Sequence, residues 1–188
     1  QSHINFDERR ELVEVVSKSI ARRMDQLCID ALDASSGTAV ATSVGGAASN
    51  MNIEKIRATA KVMNTNNVPT GDRYLLIHAS QLDAMLGETE ITSQDYAAVK
   101  ALVRGEINTF MGFTIKTIGD RDEGGLPKPS TRTCFAWHKD AMGYAESMAQ
   151  KSEVNYIAEK TSYLVSSMFS AGSIAIDDEG IVKISCTE

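Results

Sequence analysis

An amphipathic run over residues 7–34 constrains this chain more than any other stretch, because it predicts one helix about as long as the folded chain is wide. Apolar side chains recur at Leu12/Val13, Val16, Ile20, Met24, Leu27 and Ala31/Leu32, spacings of three and four that share one helical face. Glu11, Lys18, Arg22, Arg23 and Asp25 occupy the opposite face. Asn5 is placed to cap the first turn, with Glu8 three residues on, where a capping box takes a carboxylate. At ~1.5 Å per residue the helix is about 40 Å long, while a compact chain of 188 residues is roughly 40 Å across. Such an element fits an extended, multi-lobed subunit, a coiled coil or a bundle.

The length allows one large domain or two small ones, and 43% hydrophobic residues supply a real core. No apolar run approaches the ~18 residues of a membrane span, and no charged-then-apolar leader opens the chain. The start at Gln1 without a methionine reads as a processed or truncated product. The formal charge is −6, with lysine and arginine scattered, so the basic footprint that displaces phosphate counterions is lacking. Cys28, Cys134 and Cys186 are an odd number without CxxC spacing and read as reduced, small apolar residues of a cytoplasmic protein.

Residues 35–50, SSGTAVATSVGGAASN, lack a period and read as a flexible linker. Asn50 or Asn52 can cap a second helix over 53–63, with Ile53, Ile56, Ala60 and Met63 on one face. Pro69 and Gly71 then stop helix, and RYLLIHA at 73–79 reads as a strand covered on both faces. Ser80 and Ser93 are candidate caps for short helices over 81–86 and 94–103, followed by a turn at Arg104-Gly105. Residues 113–118 alternate like a strand, 119–130 (GDRDEGGLPKPS) form an exposed loop, and 133–138 are another strand. Residues 154–169 read as one long extended strand. Two β-rich runs, 173–176 and 181–186, flank Asp177-Asp178-Glu179-Gly180 as a hairpin in which Gly180 supplies positive φ. The fold class is α+β around a mixed sheet, with two long elements reaching away from it.

Catalytic patterns are missing where they were sought. Gly45-Gly46 and Gly124-Gly125 lack the spacing of a phosphate loop, and neither GxSxG nor HExxH occurs. His78 ends an apolar strand and reads as a hydrogen-bonded structural residue, His138 as the solvated end of a strand, and His3 as part of a frayed terminus. Asp120, Asp122 and Glu123 resemble a calcium loop in composition without its spacing, and Asp177, Asp178 and Glu179 are ordinary turn formers. No catalytic residue, cofactor site or metal ligand set is expected.

The order of elements and several strings resemble the major capsid proteins of tailed bacteriophages. The strings are VPTGDRYLLIHA at 68–79 followed by Ser80-Gln81-Leu82, GEINTFMGFTI at 105–115, AWHKDAMGYA at 136–145, and the stretch 159–176 with its small residues Ala171-Gly172-Ser173. The likeness runs from about Phe6 to Ile184. It implies a major-capsid-like fold: a peripheral domain of a long spine helix (7–34, within 1–49) and a long β-arm (152–170), and an axial domain over 50–151 completed by a hairpin at 171–188. Members of the family normally carry an N-terminal arm and an extended loop before the spine, and both are expected to be absent here. Without that loop, the lysine cross-linking of some relatives has no residue in this chain.

On this resemblance the chain is a structural, non-enzymatic subunit of a phage or prophage head, joining copies of itself as pentamers and hexamers of an icosahedral capsid. A scaffolding protein is a further partner, DNA is non-specific content, no membrane is involved, and the location is the virion after assembly in the host bacterial cytoplasm. The loops 35–50 and 119–130 would be mobile in the isolated subunit, their partners being other subunits. Two alternatives stand beside this reading: an encapsulin-type nanocompartment shell, which shares the fold, and a small α/β enzyme using Asp120, Glu123 or His138.

Overall fold

A helix that spans a globule needs two different partners along its length, and the long helix here has them. The computed structural model describes residues 8–87, 109–120, 123–160 and 162–187. Helix α1 runs Glu8–Ala34. In its last turns Ile29 and Leu32 are buried against the central sheet, whereas Leu12 and Val15 in the first turns are 51% and 62% exposed. The expected start at Asp7, its Asn5 cap and His3 lie outside the described residues.

The sheet is mixed, as the composition of its runs predicts. Its strands are β1 (Thr38–Val40), β2 (Arg73–His78), β3 (Thr109–Phe110), β4 (Phe113–Ile118), β5 (Arg132–His138) and β8 (Ile181–Cys186), in the order β1-β8-β5-β2-β4-β3. The β1/β8 and β2/β4 pairs are parallel and the rest antiparallel. Alternation sorts the side chains into two faces. Leu76, Phe135 and Trp137 point toward α1, and Lys183 on the same face donates to the carbonyl of Asp33. Leu75, Ile115, Cys134, Ala136, Ile184 and Cys186 point the other way, toward helix α2 (Ile53–Thr65). Both faces are covered, which is why β2 reads as a continuous apolar run.

Local chemistry sets the element ends. Asn52 caps α2, its Oδ1 accepting the Lys55 N–H at 2.8 Å, and Ile56, Thr59 and Met63 form the buried face. The buried guanidinium of Arg73 donates to the carbonyls of Val68 and Pro69 and to Asn64 Oδ1, fixing the turn between α2 and β2. Helix α3 (Ala79–Gly87) is not capped by Ser80, which lies inside its first turn; the His78 ring accepts the Ser80 N–H instead. The helix expected over 94–103 and the turn at Arg104-Gly105 lie outside the described residues.

Three expectations are corrected. The single arm strand over 154–169 is a two-stranded antiparallel ribbon, β6 (Met142–Ile157) with β7 (Ser162–Ala175), closed by a 3₁₀ turn at Ala158–Lys160. That turn contains no Gly, Pro, Asn or Asp to announce it, and β6 carries helix-favouring Ala145, Glu146, Met148, Ala149, Gln150 and Lys151, which pairing overrides. The last two β runs are not a hairpin. Ile176 and Asp177 N–H groups both bond to the carbonyl of Ala141, and the chain then crosses into the sheet, where β8 pairs with β1 and β5. Gly180 is not in a left-handed conformation; it is glycine because a Cβ there would stand 2.7 Å from that of Ala141.

The two loops also find partners within the subunit. In 35–50, β1 pairs with β8, Val40 is buried, and Ser49 Oγ donates to the carbonyls of Thr42 and Val44. Gly45, at φ 80°, lets the chain pass so close to Asn52 that its amide nitrogen would lie 2.1 Å from a Cβ. In 119–130, outside residues 121 and 122, Gly124 N–H bonds to Gln26 Oε1 at 2.6 Å, Glu123 pairs with Arg23, and Leu126 is buried.

Candidate functional site

The residues that could have carried catalysis are occupied in holding the fold. His78 Nδ1 engages Ser80 Oγ at 2.9 Å, and its Nε2 faces Asp120 Oδ1 at 3.5 Å. The same carboxylate oxygen accepts from Arg132 Nη2 at 2.8 Å. His138 is buried rather than solvated, and its Nδ1 accepts the Asp140 N–H at 3.2 Å, capping the 3₁₀ turn Lys139–Ala141. Asp177 accepts the Glu179 N–H, Asp178 accepts that of Ser36, and the Glu179 carbonyl accepts from Asn66, so this acidic triplet pins a chain crossing. Asp122 lies outside the described residues.

Asp120 and Glu123 do share a cleft of about 710 Å³ with Ser19, Arg22, Leu126, Lys128 and Arg132. Both of these carboxylates are engaged by arginines: Asp120 by Arg132 in the cleft, and Glu123 by Arg23 just outside it. Among the described residues of the lining Ser19 is the one hydroxyl, and no histidine stands with it in that cleft. Among the described residues no three His, Cys, Asp or Glu side chains are grouped to hold a metal ion, and no helix is long and apolar enough to cross a membrane.

What the described residues do display is apolar surface concentrated on the ribbon. Among the described residues, the large hydrophobic side chains that stay exposed are Leu12 and Val15 on α1, then Tyr144, Met148, Val154, Tyr156, Tyr163, Leu164, Met168 and Ile174 on the ribbon, Ile176 just beyond it, and Met111 elsewhere. β6 extends about 50 Å at ~3.3 Å per residue. A two-stranded ribbon is marginal alone in water. Here α1 supports it along one side: the Cys28 thiol bonds with Ser173 near the sheet, and Gln150 Nε2 donates to Ser17 Oγ farther out. The Cys28 thiol is half-buried in this seam, and burial pushes its pKa up, so it is not an activated nucleophile.

Beyond Ser17 the ribbon has apolar groups on both faces. Tyr156 and Tyr163 form a cross-strand pair with ring centroids 5.2 Å apart, and Val154 and Val165 continue that face. Leu164, opposite Asn155, and Met168, opposite Lys151, lie on the other. Bulges between Glu146 and Lys151 twist the ribbon between its sheet end and its tip. Exposed apolar area of this kind marks a surface that meets another molecule. Sequence reasoning missed it because the turn at 158–160 was invisible; the available signal was the alternating apolar pair Val154 and Tyr156, which meets Val165 and Tyr163 across the turn.

Comparison with known proteins gives a consistent picture. A family model described as phage capsid protein matches residues 1–188. No curated protein sequence matches. Among solved structures, the chain is similar to the capsid structure of the cyanophage P-SCSP1u (16% identity, TM-score 0.70, 98% of this chain and 67% of that one). It is also similar to the acid-stable capsid of the Helicobacter pylori bacteriophage KHP30 (10%, 0.73, 97% and 70%). A virus-like particle from Pyrococcus furiosus shares the fold as well (13%, 0.56, 88% and 62%). The chain thus spans 62–70% of the length of these three structures.

Proposed function

Because the chain belongs to the phage capsid protein family, we propose that it is a major capsid subunit whose copies close into an icosahedral head around the genome. The observation that carries this reading is the ribbon: about 50 Å of paired strand, at ~3.3 Å per residue, with apolar residues on both faces and α1 along one side. A surface of that shape and chemistry has no use in a monomer, and repeated across identical copies it gives the many modest contacts from which closed shells are built.

On this reading α1 and the ribbon form the peripheral domain, and the six-stranded sheet with α2 and α3 forms the axial domain near the five- and sixfold axes. The subunit joins pentamers and hexamers of itself, assembles in the host bacterial cytoplasm with a scaffolding protein, and ends in the virion. DNA is held as contents rather than bound, in keeping with a formal charge of −6. The paired charges around Asp120 and the capping roles of His78 and His138 support a protein without enzymatic activity.

A nanocompartment shell enclosing protein cargo is the second reading, favoured by the likeness to the Pyrococcus furiosus particle. Sedimentation of the intact protein tests the proposal: large particles containing nuclease-protected DNA support a phage head, large particles containing protein cargo support the second reading, and monomers under every assembly condition overturn both.

A further inference from the structure

On the face of the sheet away from α1, a lysine is enclosed completely. Lys55 of α2 is 0% exposed. Its Nζ lies 2.6 Å from the carbonyl of Ser49, 2.9 Å from that of Ser185 and 4.0 Å from Cys186 Sγ, one acceptor for each of three N–H bonds. Two of these acceptors are neutral, and among the described residues no carboxylate lies within ion-pair distance. An enclosed ammonium with only neutral partners carries a heavy desolvation penalty.

The sulfur has a second neighbour. In the β5/β8 ladder Cys134 pairs with Ile184 and Arg132 with Cys186, so the two cysteines are diagonal neighbours on one face, and their thiols are hydrogen-bonded to each other. Cys186 Sγ therefore lies between an ammonium and a thiol. Among the described residues this sulfur is the one group touching the Lys55 ammonium that can carry a negative charge.

We propose that Cys186 is held as a thiolate, the counter-ion of Lys55, so that α2 and strand β8 are joined by a buried ion pair to which the 41–50 loop adds the Ser49 carbonyl. The titration behaviour agrees. The bond from Cys134, then Lys55, hold the Cys186 thiol below its ordinary range against the opposing effect of burial. The bond to Cys186, then burial, push Cys134 well up, so Cys134 keeps its proton and donates it. Burial pulls Lys55 down, and the two cysteines oppose that.

The ionisable groups facing the sulfur are Lys55 from α2 and Cys134 with Arg132 from β5; the 41–50 loop contributes none, and His78 of β2 reaches Cys134 through its backbone only. Protonating the thiolate leaves Lys55 alone in the core, which makes the pair an acid-sensitive latch on the C-terminal strand. This inference stands whether or not the chain assembles into shells.

The ultraviolet absorbance of thiolate, read on the 188-residue chain at neutral pH, tests it. The expected result is one thiolate per native chain, lost on unfolding in denaturant at the same pH, lost in Cys186→Ser and retained in Cys134→Ser. A native spectrum without a denaturation-sensitive thiolate overturns the proposal, and so does a band that survives Cys186→Ser. Should the variants fail to fold, the native-minus-unfolded difference of the unmodified chain decides.

Discussion

Tyr156 and Tyr163 face each other across the end of the ribbon with ring centroids 5.2 Å apart, and each is about half exposed, at 55% and 45%. Facing Ser17 is Gln150, close to Lys151 in a ladder where Lys151 opposes Met168; Tyr163 is five residues beyond Met168, or roughly 17 Å farther out at ~3.3 Å per residue. Such a pair strengthens a hairpin by about 0.5–1 kcal/mol, which is little reason to leave two aromatic rings in water. Replacing both with threonine, which keeps strand propensity and adds no charge, should abolish particle formation while lowering subunit stability by only about 1 kcal/mol. Electron microscopy and thermal melting of the same preparation read the two effects separately.

Asn52 performs two tasks, accepting the Lys55 N–H at 2.8 Å and donating to the Val44 carbonyl at 3.2 Å. Asn52→Ala should cost about 1–2 kcal/mol in denaturant unfolding, a lost cap together with one of the two hydrogen bonds to the Val44 carbonyl, the other coming from Ser49 Oγ. Asn52→Asp keeps the cap without the donor, so its loss should fall between the two proteins.

The α2 and β2 elements were legible from sequence, as were β4, β5 and the long helix, because each carries its own period and buries a face that its residues announce. What escaped is what depends on partners distant in the chain. The three residues of β1 are strand only because β8 lies beside them, and β8 was misassigned to a hairpin because nothing local reveals that it inserts between β1 and β5. The candidate surface was half legible: an extended element was expected over 154–169, but not its fold into a ribbon or the meeting of Tyr156 with Tyr163.

Gly180 illustrates a position whose demand is spatial. Gly180→Ala would set two methyl groups 2.7 Å apart at Ala141, where Ala141 also accepts the two N–H bonds that end the ribbon. A destabilisation of about 1–3 kcal/mol is expected by chemical denaturation, and Ala141→Gly in the same chain should restore part of it.

Stability should rise with pH from neutral toward 9.0, the ordinary value of the Cys186 thiol. The sign follows from a folded pKa lying below the unfolded one: the contribution is complete above the unfolded value and is lost as pH falls through the folded one. Lys55, lowered by burial, adds a slope of the same sign as pH climbs toward its ordinary 10.5. Cys134, raised well above 9.0, opposes both beyond that point, because the unfolded thiol ionises and the folded one does not. Denaturation midpoints across this range should therefore climb and then level or fall, and Cys186→Ser should flatten the climb below 9.0.

The central claim is that the ribbon and the start of α1 are buried by neighbouring copies in a closed shell. A cryo-electron microscopy map of particles formed by the intact protein tests it most directly. The account predicts an icosahedral shell in which Leu12, Val154, Tyr156, Tyr163 and Leu164 contact adjacent subunits. A shell in which those side chains face solvent, or a protein that yields no closed particles, would contradict it.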